Sequence, residues 1–187
     1  MSPTMLKALN IRQLLRRLLG RDPLPRLLRR GLVVGRNFYL QDGCVIDASH
    51  CWLIRIGDDV TLGPNVTLLA HDASTKRALG VARLGKLTIG NRVFIGAGSI
   101  VLPGVSIGDD VIIGAGSVVT RDIPQGSLAA GNPARVLDKT RDYLNRQQEL
   151  MNASPCFDER YTLRGGVDAH KKNEMNARMK NGIGFIT

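Results

Sequence analysis

A six-residue beat runs from near Val34 to Ile123 and leaves few folds open to this chain. From Ile56 it reads IGDDVT, LGPNVT, LLAHDA. After an interruption it resumes at Ile89 as IGNRVF, IGAGSI, VLPGVS, IGDDVI, IGAGSV and VTRDIP. An apolar residue opens each unit (Ile56, Leu62, Leu68, Ile89, Ile95, Val101, Ile107, Ile113, Val119), and an apolar or small residue stands four positions on, as at Val60, Val66, Val93, Ser99, Val111 and Ser117. Glycine recurs at the position after most of the opening residues, a pattern that penalises any helix. Each unit is instead one short strand plus a turn, and its apolar side chain is buried only by stacking on the same position of the next coil. Gly, Asn and Asp at the corners (Gly57, Asp58, Gly63, Asn65, Gly90, Asn91) suit tight turns. Three units close one triangular coil, so residues 18 apart should stack: Ile89 on Ile107, Ile95 on Ile113, Val101 on Val119. The expected fold is all-β, a parallel β-helix with helical appendages at both ends.

The charge is uneven. Residues 1–31 carry eight basic side chains against one acid, which accounts for +7 of the net +10. Residues 32–137 carry nine and eight, and residues 138–187 nine and seven. Such a distribution argues against a nucleic-acid binder, whose basic surface would extend over the folded domain. LKALNIRQLLRRLLG reads as a basic amphipathic helix and DPLPRLLRRG as a second, short one after a proline break. This segment is expected to cap the open end of the β-helix, and its chemistry also suits a foothold on an anionic membrane surface. Cys44, Cys51 and Cys156 are odd in number and form no metal-binding spacing, which fits reduced thiols in a cytoplasmic protein, at the inner face of the membrane if the foothold is used. In the tail, DKTRDYLNRQQELMN and residues around Ala169–Met179 read as helices. Three regions follow: 1–31, a basic amphipathic helical segment; 32–137, the β-helix domain with an inserted loop 72–86; and 138–187, a helical tail.

The interruption opens at His71, one of three histidines, and DASTKRALGVARLGK follows before the beat returns. Long insertions in a compact repeat are usually functional. A histidine at the mouth of an ejected loop is therefore the candidate catalytic residue.

These residues resemble the hexapeptide-repeat acyltransferases, in particular the xenobiotic, galactoside and maltose O-acetyltransferase branch. The likeness lies in IGDDVTLGPNVTLLAHD and in LTIGNRVFIGAGSIVLPGVSIGDDVIIGAGSVVTRDIPQGSLAAGNPARVL, a stretch from about Ile54 to Leu137. It implies left-handed coiling, against the usual right-handed crossover rule. It also implies a homotrimer, acetyl-CoA as co-substrate in a groove between subunits, and no metal. By the same resemblance, His71 matches the general base that removes the acceptor hydroxyl proton. Ala97 and Ala115 match positions whose backbone meets the pantetheine arm, with Gly96, Gly98, Gly114 and Gly116 keeping that face low. Thr120 and Arg121 match a Thr-Lys pair, and Arg135 matches an arginine of the closing element; both cations suit the CoA phosphates. Phe94 stands where the family often has Trp. Asp72, next to His71, is a candidate to orient the imidazole, with turn capping as the equal alternative.

The acceptor is less legible. Its contacts should come from VGRNFYLQDGCVIDASHCW and the 72–86 loop, with Asp42, Asp47 and Arg77 as candidates. Gly43 falls near where related sugar acetyltransferases carry Asn. The expected acceptor is a hydroxyl of a sugar, a polysaccharide precursor or a lipid-linked sugar. Rival readings are an N-acetyltransferase on an amino sugar and a non-catalytic β-helix scaffold. A γ-type carbonic anhydrase would need three histidines on one zinc; His50 and His71 are 21 apart instead of 18, and His170 lies in the tail.

Overall fold

The computed structural model describes residues 23–180 and 182–187; the expected helix over LKALNIRQLLRRLLG lies outside these residues. The chain divides into two compact units, with the boundary after Leu137.

In the first unit, strands of mostly two or three residues fall into three sheets whose coil-to-coil pairings are parallel, and the longer Ser127–Gly131 and Ala134–Lys139, joined by two residues, close the second sheet at the unit boundary. The first sheet holds Val33–Val34, Ile54–Ile56, Leu87–Ile89 and Ser106–Ile107. The second holds Tyr39–Leu40, Thr61–Leu62, Phe94–Ile95, Ile112–Ile113, Ser127–Gly131 and Ala134–Lys139. The third holds Val45–Ile46, Thr67–Leu68, Ile100–Val101 and Val118–Val119. The pairings Ile107 with Ile89, Ile95 with Ile113 and Val101 with Val119 are those expected from the six-residue beat. Because side chains alternate along a strand, one residue of each pair points inward. The inward columns Ile56–Ile89–Ile107, Leu62–Ile95–Ile113 and Leu68–Val101–Val119 are almost fully buried. Ile123 continues the first column through an isolated bridge to Ile107.

The three corners of the prism differ in chemistry. Between the first and second sheets, polar side chains form a ladder. Asp58 N–H donates to Asn91 Oδ1 at 2.9 Å, and Asn91 N–H to Asp109 Oδ1 at 2.8 Å. The Arg36–Asp58 and Arg92–Asp110 pairs brace this corner from outside. Between the second and third sheets the turns are Gly63-Pro64-Asn65, Gly96-Ala97-Gly98 and Gly114-Ala115-Gly116, backed by buried Ser99 and Ser117. Both serine hydroxyls donate to the Gly114 carbonyl.

The third corner, between the third sheet and the next coil's first, carries every departure from the beat. Ile46 to Ile56 spans ten residues where six is regular, Leu68 to Ile89 spans 21, and Val119 to Ile123 spans four. Consequently the pairing step is 22 between the first two coils (Val34 with Ile56) and 33 between the next two (Ile56 with Ile89). Helix Pro23–Arg29 lies ahead of the first coil, and its Leu27 joins the core.

The second unit contains helices Thr140–Asn152 and Ala169–Arg178 and a parallel strand pair, Cys156–Phe157 with Phe185–Ile186. Buried Phe157 lies beneath the Arg178 guanidinium, 4.7 Å from the ring centroid, and 5.1 Å from the Tyr161 ring. Asp168 caps the second helix by accepting from Lys171 N–H at 2.8 Å. Among the described residues, no helix is long and apolar enough to cross a membrane.

Truncating one inward column should expose its contribution. Ile95→Ala is expected to destabilise the protein by about 2–5 kcal/mol, read as a lower urea midpoint at fixed protein concentration with an unchanged slope.

Candidate active site

The third corner gathers the reactive side chains. His71–Asp72 leaves the prism as a strand and pairs antiparallel with Arg83–Leu84, His71 opposite Leu84. The inserted segment is thereby closed into a hairpin. Helix Lys76–Leu79 occupies its tip and ends at Gly80 in the left-handed conformation (φ 73°). Thr75 Oγ1–H donates to the Val81 carbonyl at 2.7 Å, and Arg83 Nη2 to the Pro103 carbonyl at 2.8 Å. Gly85 N–H returns to the Ala70 carbonyl at 3.0 Å, which re-seats the chain on the prism.

One coil before His71 stands Asp47, which directly follows the third-sheet strand Val45–Ile46. Its carboxylate is buried yet accepts four hydrogen bonds. Oδ1 accepts from Ser49 N–H at 3.0 Å and His50 N–H at 3.2 Å, while Oδ2 accepts from Ala70 N–H at 3.0 Å and pairs with His71 Nδ1 at 2.5 Å. Burial pushes the carboxyl up, but the His71 hydrogen bond and the Ala70 and Ser49 N–H donors outweigh it and hold it below its ordinary value. An ionised carboxylate can only accept, so Nδ1 carries a proton, and the neutral tautomer with that proton has its lone pair on Nε2. His71 is partly exposed, while Asp47 is nearly sealed behind it.

Asp72 does not orient the ring. Successive side chains of a strand point to opposite sides, and Asp72 instead accepts from Ser74 N–H at 2.8 Å as a turn cap. The orienting partner is Asp47, which the sequence reading placed among acceptor contacts. His50 was set aside there because 21 residues separate it from His71; the expanded turn brings the two rings to 5.1 Å between centroids. Asp47, His50 and His71 present ligand atoms within 4.8 Å of one another. Both Asp47 oxygens and His71 Nδ1 are already engaged in hydrogen bonds, so the arrangement fits an oriented base better than an open metal site.

The other candidates stand elsewhere. Ala97 and Ala115 are exposed and stacked on the second corner, where Gly116 N–H donates to the Ala97 carbonyl at 2.8 Å. A Cβ added at Gly96 would stand 2.4 Å from Ala115 N, so the ledge must stay low there. Gly98 and Gly116 adopt φ of +70° and +69°, which favours glycine. Thr120 and Arg121 are exposed on the third corner, the same corner as His71 but two coils further along. Among the described residues Arg121 has no ion-pair partner. Arg135 is exposed in the edge strand Ala134–Lys139, with Nη1 donating to the Ala134 carbonyl at 3.0 Å. Phe94 lies outward on the second sheet, between Thr61 and Ile112.

Comparison with known proteins agrees with this architecture. Residues 86–121 match the family described as bacterial transferase hexapeptide (six repeats). The chain is 39% identical to protein CapG of Staphylococcus aureus over 136 residues, 70% of this chain and 77% of that protein. It is 42% identical to the galactoside O-acetyltransferase of Escherichia coli K12 over 58% of this chain, and spans only 54% of that relative's length. The crystal structure of the hexapeptide-repeat acetyltransferase VCA0836 of Vibrio cholerae in complex with acetyl-CoA superposes with a TM-score of 0.52 at 28% identity, covering 57% of this chain and 59% of that one. A repeat fold, an oriented imidazole at an ejected loop and a relative matched over most of its length converge: the chain belongs to the bacterial hexapeptide-repeat transferase family.

Proposed function

We propose that the protein transfers the acetyl group of acetyl-CoA directly to a hydroxyl of a sugar or polysaccharide precursor. The observation that carries this reading is the partly exposed His71 imidazole at the mouth of the loop, fixed through Nδ1 by buried Asp47. Nε2 takes the hydroxyl proton as the oxygen attacks the thioester carbonyl. Collapse breaks the carbon–sulfur bond, and the imidazolium returns its proton to the leaving thiolate. Asp47 stabilises the imidazolium without itself becoming protonated. Because a thioester is already activated, neither metal nor covalent enzyme intermediate is needed. The acetyl-CoA complex of the Vibrio cholerae relative supports the donor, and the low Ala97–Ala115 ledge suits a narrow pantetheine arm.

Left-handed coiling and a homotrimer belong to the same reading. Within one chain the alanine ledge and His71 occupy different corners, so a complete site calls for a neighbouring copy. Outward columns, apolar apart from Thr61 and Thr67, support such packing: Tyr39, Phe94, Ile112 and Leu128 on the second sheet, and Val45, Ile100 and Val118 on the third. The site of action is the cytoplasm, with residues 1–31 touching the inner membrane face where a lipid-linked acceptor would lie. Arg26, Arg29 and Arg30 at the end of that segment fit an anionic surface.

His71→Ala should lower transfer about 10²–10⁴-fold while leaving CoA binding intact by calorimetry; wild-type turnover would remove His71 from the mechanism. Arg121→Ala should raise the Michaelis constant for acetyl-CoA severalfold, and an unchanged value would unseat Arg121 from the phosphates. Deleting residues 1–22 should weaken sedimentation with vesicles containing anionic lipid, whereas unaltered binding would leave this segment no role at the membrane.

The pH dependence of stability tests the Asp47 contact separately. Its folded-state pKa is depressed, so its contribution is present above the unfolded value near 3.8 and is lost as pH falls through the lower folded value. The stability gap between wild type and Asp47→Asn should therefore shrink as pH falls below about 5. A gap independent of pH down to acid unfolding would contradict the assigned contact.

A further inference from the structure

The four extra residues of the first coil's third corner build something specific. Ala48 to Leu53 form a tight turn, closed by Leu53 N–H donating to the His50 carbonyl at 2.9 Å. The turn is anchored from beneath. Cys51 is fully buried, with Sγ 3.6 Å from the Leu27 carbonyl, and Arg30 Nη1 donates to the Ala48 carbonyl at 3.3 Å. Gly31 passes so close that an added Cβ would stand 3.0 Å from Trp52 Cβ. With Cys51 fastened inward, Trp52 is turned outward and left 54% exposed, although it is the sole tryptophan of the chain.

Three rings then run in series. The Trp52 and His50 centroids lie 5.3 Å apart, and those of His50 and His71 5.1 Å apart. His50 Nδ1 is enclosed without a hydrogen-bond partner. The His50 ring meets both neighbours at a tilt, 56° to Trp52 and 51° to His71, and so links the two. The row therefore leads from an exposed indole to the imidazole whose partner is Asp47. An exposed aromatic beside a base suits a ligand with both an apolar C–H face and hydroxyls on its rim, a description that fits a pyranose ring.

We propose that Trp52, backed by His50, is the stacking platform that seats the acceptor sugar beside His71 and sets acceptor specificity. The inference rests on the acetyl-transfer reading for its chemistry, but its geometry stands apart from the donor. Trp52 is a positioning residue and takes no part in proton transfer.

Since Trp52 is the only tryptophan, indole emission excited apart from the three tyrosines reports this site alone. The full-length protein would be titrated with methyl glycosides of glucose, galactose, N-acetylglucosamine and glucuronic acid, followed by transfer kinetics on Trp52→Ala and Trp52→Phe. The expected result is a saturable emission change with at least one glycoside. For that glycoside, Trp52→Ala should raise the Michaelis constant about tenfold with kcat and CoA affinity held, and Trp52→Phe should recover most of the loss. Emission indifferent to all four glycosides, or a Trp52→Ala enzyme with the wild-type Michaelis constant for its acceptor, would overturn the proposal. Failure of CoA to bind in calorimetry would sink acetyl transfer instead, and the emission titration would still decide on Trp52.

Discussion

Phase is the constraint on which this molecule depends. Strands of two residues cannot persist alone, and each acquires an inward neighbour only if the coil before it presents an apolar side chain at the same angular position. An unpaired step of one residue would turn a buried side chain to the outside. Extra chain must therefore leave the prism at a corner and return in phase. Two corners resist this. The Asn91–Asp109 ladder ties one coil to the next at the first, and the glycines with buried Ser99 and Ser117 tie them at the second. At the third, four residues are gained, then 15, then two lost, while every inward column stays in register. The reactive side chains collect where the repeat tolerates slack.

Asp47 and His71 show how a regular scaffold makes an irregular site exact enough for chemistry. The main-chain pairing of Asp47 N–H with the Leu68 carbonyl at 2.9 Å fixes the two coils before any side chain is considered. Ala70 N–H then meets the Asp47 carboxylate, and the imidazole that follows one residue later has its Nδ1 beside the same oxygen. A buried carboxylate without such donors would be driven to protonate and could no longer fix the tautomer. The backbone donors keep it ionised, so the scaffold holds the imidazole through electrostatics as well as position.

The β-helix was legible because its signal is repeated: an 18-residue step between Ile89 and Ile107 is confirmed at Ile95 and Val101. His71 was legible because it stands at the point where the beat fails. Its partner was not, for a physical reason. Sequence proximity favoured Asp72, yet in a strand the neighbouring residue points the other way. The true partner lies 24 residues back, a separation that becomes readable only once the 22-residue step of the first coil is known. The same four residues hid the approach of His50 to His71. Helices Thr140–Asn152 and Ala169–Arg178 were readable from their apolar spacing and breakers, whereas the pairing of Cys156–Phe157 with Phe185–Ile186 leaves no local trace.

The separation of corners bears on why such a protein would assemble. A single prism offers a low ledge at Ala97 and Ala115 and an oriented imidazole at His71, but one corner cannot face the other across a convex body. Bringing them together within one chain would require a long arm, and the hairpin at residues 71–84 is anchored to its own coils through Gly85 and Arg83. Apposing two copies solves the problem with surfaces already present, since the outward columns of the second and third sheets are apolar apart from Thr61 and Thr67, while the first runs Val33, Arg55, Thr88 and Ser106. On this view the polar first sheet is the face left to solvent. The repeat then serves twice, stacking coils within a chain and offering flat apolar columns between chains, and acetyl transfer would require both.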